Sequence, residues 1–522
     1  MGTETLFQDH QRRRYANPES YLIEKDKWLN LRPIVAQMLQ LPLKGKKRLQ
    51  QQQKELDVQL DKLHQTIQDN DQVRLDEEDE LVISPLQAED LSPSAKNLQQ
   101  LVGKRLPCLD LSDLLIEIDQ LTGFSYGLTH AGGNPSSPSD FKQYLYAAIL
   151  AQATNLGLSR MATIANLSYD RLVWVTNWYL REETLFEANT AIVNFQYHQW
   201  LSHFWGGGTL SSSDGQRFPV AVKNRQAVSL PRYFGYGKGL TFYTWTSDQH
   251  SCYGNKVIPS TMRDAAYLLD AILDNETELS ILEHTTDTAG YTDVMFALFD
   301  LLGLQFSPRL RALKSKCLYL LNKEMKYPNL KPLFKGKIQS DYILERWDDL
   351  LRVTGSLKLG WVTSSLFIGK LQSFPQQNAL LRALQEYGRL VKTIFILRYL
   401  NSEDYRRKIN TQLNKGEKLH DLRRFLFFAH LGFIRQQQDE NLANQSACLT
   451  LVTNAVVAWN TVYLQAVIEH LKAEQFPIDE ADFVHLSPAR YEHINPYGRY
   501  EFDMTKTFSL QALRPLRNSS FQ

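Results

Sequence analysis

The chain has 522 residues, enough for roughly three or four domains of ordinary size. Its 43% hydrophobic and 22% charged residues are those of a globular chain, which excludes a wholly disordered or fibrous one. The 58 basic and 57 acidic residues leave a formal net charge of +1, so the whole-chain basic footprint common in nucleic-acid binders is absent. Any phosphate contact must then come from local clusters. Gln11 to Arg14 holds three arginines, Lys44 to Arg48 holds four basic residues, and Arg406, Arg407 and Lys408 follow Glu403 and Asp404, which partly offset them. Cys108, Cys252, Cys317 and Cys448 are scattered with no CxxC pair, against a zinc cluster or a disulfide framework. No apolar run approaches the roughly 18 residues of a membrane span, and the N-terminus carries no signal-peptide pattern. The expectation is a cytoplasmic protein in a reducing compartment.

From Lys44 to Asn70 the apolar residues Leu49, Leu56, Leu60, Leu63 and Ile67 recur at helical intervals, an amphipathic helix expected to pack on its own domain, with a dimerising coiled coil as the alternative. Asp69 to Glu80 reads as an acidic linker and Leu91-Ser92-Pro93-Ser94 as a second break, closing a helical N-terminal region at 1–100. Residues 101–205 are again helical, a scaffold or DNA-binding region. One helix is expected to run from Leu172 through Tyr179 and on through Arg181-Glu182-Glu183-Thr184, and Ala131 to Pro138 is a sharp loop. The texture changes at Gly206-Gly207-Gly208. Arg217 to Val222, Leu240 to Thr246 and Ser280 to Thr286 are rich in β-branched and aromatic residues, and helices are expected at Thr261–Leu273 and Val294–Leu302. Helical periodicity returns at about 341–412, as an insertion into a sheet domain spanning 206–475. Glu417 is expected to open a new helix through Phe428. Ala447 to Leu471 is a last helix, and 476–522 an irregular tail.

Three acids stand out against this frame: Asp214 between strands, Asp287 at a strand end and Glu417 on a later helix. Carboxylates are hard oxygen ligands suited to Mg2+ or Mn2+. Two such ions roughly 3.5–4 Å apart serve in-line attack on a phosphodiester, and acids from three separate elements can surround them without blocking phosphate or water. Taken singly each acid is weak evidence, because carboxylates at strand ends commonly cap turns or stay solvated. Asp248, Glu283, Asp293, Asp439 and Glu440 are rivals; Asp248 could close a turn and Asp293 could cap a helix. Arg424 lies two helical turns beyond Glu417 on the same face, placed either to hold a DNA phosphate or to be an ordinary surface charge. Arg217 is the second candidate for the scissile strand, with an ion pair inside the sheet as its alternative. His203, His250, His284 and His420 show no ligand spacing and read as structural. Gly235 to Gly239 lacks the Walker pattern and reads as a turn before a strand.

Several ordered words resemble the transposases of the Tn-three family of replicative bacterial transposons. They include Ser211-Ser212-Ser213-Asp214-Gly215-Gln216-Arg217-Phe218, Thr286-Asp287-Thr288-Ala289-Gly290 and Leu413-Asn414-Lys415-Gly416-Glu417. Tyr179 to Thr184, Phe242-Tyr243-Thr244, Glu345 to Asp349, Leu449 to Ala455 and His493-Ile494-Asn495 continue the series, from roughly Tyr15 to the C-terminus. The resemblance implies an α/β catalytic core, a ribonuclease-H-like mixed sheet with a helical insertion, flanked by mainly α-helical regions. It implies a DDE triad of Asp214, Asp287 and Glu417 that holds two Mg2+ or Mn2+ ions. The implied reaction is 3′-end cleavage and strand transfer in cointegrate-forming transposition, with transposon-end and target DNA as partners and a homodimer on DNA. Family members are typically about twice as long, their further N-terminal part carrying most recognition of the inverted repeats. A chain of this span is therefore also readable as a non-autonomous DNA-binding remnant or regulator.

Overall fold

The computed structural model describes residues 17–517 apart from 68–69, 71, 77–79, 88–89, 134–139, 262–263, 289–290, 312–316, 322–325, 374–377 and 499. The Gln11–Arg14 cluster, Asn134 to Pro138 of the expected loop, Asp69, Asp71, Glu77, Glu78 and Asp79 of the acidic linker and Ala289-Gly290 of the Asp287 word lie outside the described residues. The elements used below are, in chain order, α1 (Gly45–Thr66), β1 (Leu210–Val220), β2 (Lys238–Ser247), β3 (Cys252–Pro259), β4 (Glu283–Thr286), α2 (Asp293–Leu301), β5 (Gln305–Phe306), α3 (Trp347–Lys358), α4 (Ala379–Asn401), α5 (Glu403–Leu426) and α6 (Asp439–Ala473). Helices and strands alternate in a mixed α/β chain that divides into two compact units. One comprises Met1–Ala88, Arg263–Asp274 and Ile281–Leu413; the other comprises Glu89–Met262, Asn275–Ser280 and Asn414–Gln522.

In the unit holding residues 89–262, β2 is the centre of an antiparallel sheet. On one side β1 pairs with it from Ser211↔Ser247 to Val220↔Lys238 without a break. On the other, β3 pairs from Leu240↔Pro259 to Thr246↔Cys252, with a register shift at Trp245/Thr246. The shift skips Tyr253, and beside it Asn454 of α6 bonds both backbone groups of Cys252: its Oδ1 accepts from Cys252 N at 2.8 Å and its Nδ2 donates to Cys252 O at 2.7 Å. A bulge that leaves ladder groups unpaired is stable only when something else bonds them. Val456, Trp459, Tyr463 and Val467 of α6 are buried in the core that also holds Phe218, Phe242 and Phe427. Within α6 an 18-residue window is long and apolar enough to cross a membrane, but all of it is buried inside the protein. It is a core helix. The tail is less irregular than expected, since Ile494–Asn495 pairs in parallel with Leu109–Asp110.

In the other unit β4 and β5 pair in parallel at Glu283↔Gln305 and His284↔Phe306, joined by α2. Ser340–Glu345, α3, Ser364–Ser373 and α4 supply the helices of the 341–412 block. α1 buries Leu49, Leu56, Leu60 and Leu63 as its period requires. Its Arg48 reaches Asp300 of α2 at 2.7 Å and the hydroxyl of Tyr387 of α4 at 2.8 Å, tying three helices through one guanidinium. α4 passes so close to α2 that a Cβ on Gly388 would lie 1.7 Å from Asp293 O, so only glycine fits there.

Several local expectations are corrected. The helix expected at Thr261–Leu273 is, among the described residues, a 3-10 turn at Asp264–Ala266 and a short helix at Asp270–Leu273. Asp214 lies within a single 11-residue strand and not between two strands, because ladder pairing to β2 overrides the turn character of Ser-Ser-Ser-Asp-Gly. Glu417 does not open a helix: α5 begins at Glu403 and runs straight through Gly416. One interior glycine costs about 1 kcal/mol, too little to stop a helix with Ile409, Gln412, Leu419, Leu422 and Leu426 buried along it. The helix expected to run on through Thr184 is broken after Tyr179. A new one starts at Glu182, with Thr184 Oγ1 accepting from Arg181 N at 3.2 Å in a capping box.

Candidate metal centre

β1 alternates its side chains, so Ser212, Asp214, Gln216 and Phe218 share one face. α5 runs along that face in the same direction. A Cβ on Gly416 would sit 3.8 Å from Ser212 Oγ. Gln216 Nε2 donates to His420 O at 2.9 Å, Gln216 Oε1 accepts from Arg423 Nε at 3.3 Å, and the Phe218 and Phe427 rings pack 4.9 Å apart. Contacts at 416, 420, 423 and 427 follow the helical repeat, while those at 212, 216 and 218 follow the strand repeat. Asp214, between Ser212 and Gln216, is thereby set opposite the turn that carries Glu417 and His420.

One ligand atom each from Asp214, Glu417 and His420 lie within 4.8 Å of one another. His420 Nδ1 is 3.8 Å from Asp214 Oδ2 and 3.9 Å from Glu417 Oε2. The three differ sharply in burial: the His420 side chain is 6% exposed, that of Asp214 41% and that of Glu417 69%. The imidazole thus forms a wall beneath two carboxylates open to solvent. Asp214 Oδ1 also accepts from Gly215 N at 2.7 Å. Burial first, and the Arg423 guanidinium second, pull the imidazole pKa down to about 4 against the opposing pull of Glu417, and so hold the ring neutral. Arg423 is itself fully buried and donates from Nη1 to Thr450 Oγ1 of α6 at 2.9 Å, while burial lowers its pKa. Two carboxylates and a neutral imidazole fit a hard or borderline divalent cation in both donor type and spacing.

Asp287 directly follows β4. Its Oδ1 accepts from Thr288 N at 2.6 Å and from Arg309 Nη2 at 2.9 Å, and Arg311 Nη2 lies 3.9 Å from Oδ2. Burial pushes its pKa up, but the Thr288 N–H and the two arginines outweigh that and hold it below the ordinary value. Arg309 is fixed in turn, its N–H donating to Thr286 O at 2.9 Å. Asp287 is therefore a partly exposed, ionised carboxylate at a strand end.

The rival acids have structural work. Asp248 is buried and accepts from Gly208 N at 2.9 Å and Leu210 N at 3.3 Å, closing the glycine turn; a Cβ on Gly206 would fall 2.2 Å from its Cγ. Glu283 accepts from Ser307 and Lys408, each at 2.6 Å. Asp293 pairs with Lys392 and Arg389, and the capping of α2 falls to Thr292. Asp439 and Glu440 are exposed in the first turn of α6.

Of the candidate cations, Arg424 is exposed and pairs with Asp421 at 3.4 Å. Among the described residues Arg217 makes no ion pair inside the sheet; its guanidinium stacks 4.2 Å from the Tyr233 ring centroid. Three residues from Asp214, it points to the opposite face of β1. The cluster at 406–408 is consumed internally: Arg406 donates to Tyr399 O at 2.8 Å, and Arg407 and Lys408 pair with Glu403 and Glu283. The sequence reads His420 as structural and does not single out Arg423; the structure sets His420 beside Asp214 and Glu417, with Arg423 bonded to Gln216. The spacing Glu417-x-x-His420, i to i+3 on a helix, was the available signal for the first, since such pairs project metal ligands from one helical face.

Comparison with known proteins gives the family. The family model described as Tn3 transposase DDE domain matches residues 113–500. The chain belongs to that family. It is similar to the transposase for transposon Tn1546 of Enterococcus faecium, 40% identical over 431 residues, 82% of this chain and 43% of the relative. Similar too are the transposase for transposon gamma-delta of Escherichia coli strain K12, 37% identical over 508 residues, and that for transposon Tn501 of Pseudomonas aeruginosa, 37% over 507. These matches take in 96% and 97% of the chain and 51% of each relative. The chain spans about half the length of the curated relatives it matches. The matched span contains Asp214, Asp287, Glu417 and His420.

Proposed function

We propose that this chain is the catalytic portion of a DDE-type DNA transposase with a ribonuclease-H-like core, cutting 3′ ends of transposon DNA and joining them to target DNA in the replicative mode. The observation that carries this is the opposition of Asp214 and Glu417 across the β1–α5 face, with ligand atoms within 4.8 Å, inside the span that matches the family. Asp287 is the third acid, completing the set that holds two Mg2+ or Mn2+ ions. Such ions activate the attacking oxygen and stabilise the departing one. The chain's own part is to hold the ligands rigidly: Asp214 from a ladder-paired strand, and Glu417 from a helix pinned by Gln216. Water first breaks a phosphodiester to leave a 3′-hydroxyl. That hydroxyl then attacks a target phosphodiester and releases a new 3′-hydroxyl, with no covalent protein–DNA intermediate. Arg424, exposed two turns beyond Glu417, neutralises a phosphate of the scissile strand, and Arg217 contacts DNA from the other face of β1. Joining two ends to one target favours a homodimer on DNA.

The test is magnesium-dependent nicking and joining of end-labelled transposon-end DNA by the purified chain and by Asp214→Asn, Asp287→Asn and Glu417→Gln. Each substitution is expected to cut the rate by at least about 100-fold, with unchanged circular dichroism. Full cleavage by Asp287→Asn would remove it from the triad. DNA binding with no cleavage by the unsubstituted chain would instead make it a regulator.

A further inference from the structure

We infer that His420 Nδ1 ligates the same divalent cation as Asp214 and Glu417. The inference rests on the metal-centre reading above and adds a nitrogen ligand to its carboxylates. Donor atoms each about 2.1 Å from a common ion lie about 3 Å apart when adjacent and about 4.2 Å apart when opposite. The observed 3.8 and 3.9 Å from Nδ1 to Asp214 Oδ2 and Glu417 Oε2 fall inside that interval. Both are too long for hydrogen bonds, which for N–H···O run about 2.7–3.2 Å. The ring therefore faces both carboxylates at a distance that suits a shared ion and not direct bonding.

Its placement is fixed from behind. His420 is buried, and its backbone carbonyl is held by Gln216 Nε2 at 2.9 Å, with Arg423 bonded to the same amide side chain. Gln216 and Asp214 share one face of β1, so the residue that positions the imidazole also sets its distance from the aspartate. Glu417 and His420 occupy i and i+3 of α5 and project from one side of it. A ligand set of two oxygens and one nitrogen is borderline in softness, which favours Mn2+ over Mg2+ relative to three carboxylates.

The experiment uses the full chain with Mn2+ as probe and pulsed electron paramagnetic resonance as readout, independent of any DNA reaction. The expected result is a directly coordinated nitrogen on the bound Mn2+, with its coupling changed when the chain is made with 15N-histidine. Asp214→Asn should remove this signal, and His420→Gln should abolish the nitrogen coupling and weaken Mn2+ binding roughly tenfold or more. The 15N measurement on the unsubstituted chain needs no variant to fold. Mn2+ bound in a manner that depends on Asp214 and Glu417 but without nitrogen coupling would overturn the inference and leave the carboxylate site standing. Mn2+ binding indifferent to Asp214→Asn would overturn both.

Discussion

Gln216 shows how much a single residue can decide here. Its amide bonds His420 O and Arg423 Nε, so it sets both the height of α5 over β1 and the partner of a buried guanidinium. Gln216→Ala is expected to cost about 1–3 kcal/mol, because Arg423 loses an acceptor where water does not reach. It should also weaken Mn2+ binding without removing a ligand; chemical denaturation and metal titration of one variant check both. Arg424 is a different kind of residue, exposed and, among the described residues, paired with Asp421 on its own helix at 3.4 Å. Such a pair is weak and gives way readily to a phosphate. Arg424→Ala should lower DNA affinity evenly across sequences and flatten the dependence of log affinity on log salt by about one unit. An unchanged slope in a salt titration would remove it from the DNA surface. For Arg217, stacked on Tyr233 and facing away from Asp214, the same experiment separates a DNA contact from a sheet contact.

At the scale of elements, two helix-interior glycines have opposite meanings. Gly388 of α4 exists for close approach, since an added Cβ would meet the backbone carbonyl of Asp293 at 1.7 Å. Gly388→Ala is expected to destabilise by about 3 kcal/mol or more, because backbone cannot yield as a side chain can. Gly416 of α5 faces only Ser212 Oγ at 3.8 Å, an ordinary contact. Gly416→Ala should stabilise the fold by about 0.5–1 kcal/mol through helix propensity alone. Thermal unfolding of the pair tests whether α5 passes through Gly416 as one helix. A destabilised Gly416→Ala would mean that the glycine serves a break there.

Across the whole molecule the buried histidines set the acid limit. Burial pulls His284 down to about 3 and His493 to about 4, and holds His250 well below 6.5. Their folded pKa values are depressed, so between pH 6.5 and about 4 the unfolded chain binds protons that the folded chain does not. Stability is therefore full above pH 6.5 and falls as pH drops, on the order of 1 kcal/mol per histidine per pH unit. His284 belongs to one compact unit and His250 and His493 to the other, so both should soften. Unfolding temperatures measured between pH 7.5 and 5 should decline, above the range where ordinary carboxylates titrate. A flat profile would mean that these imidazoles take up protons in the folded state.

The sequence by itself determined the family and suggested the chemistry proposed for it, because short-range words carry both: three acids set in recognisable neighbours, and periods of two and 3.6 that mark strands and helices. It also located the helices of the 341–412 block and the amphipathic face of α1, whose stabilising contacts repeat along the chain. It misread the setting of Asp214 and Glu417, since Ser-Ser-Ser-Asp-Gly and Lys-Gly-Glu look like local breaks. Ladder pairing with β2 and the buried side of α5 outweigh those local preferences by many small contacts. Only the tertiary structure decided which acids are occupied elsewhere, such as Asp248 on its glycine turn and Asp293 on Lys392 and Arg389. It alone brought His420 beneath Asp214, because residues 206 positions apart meet only through packing of α5 on β1, which no spacing in the sequence encodes.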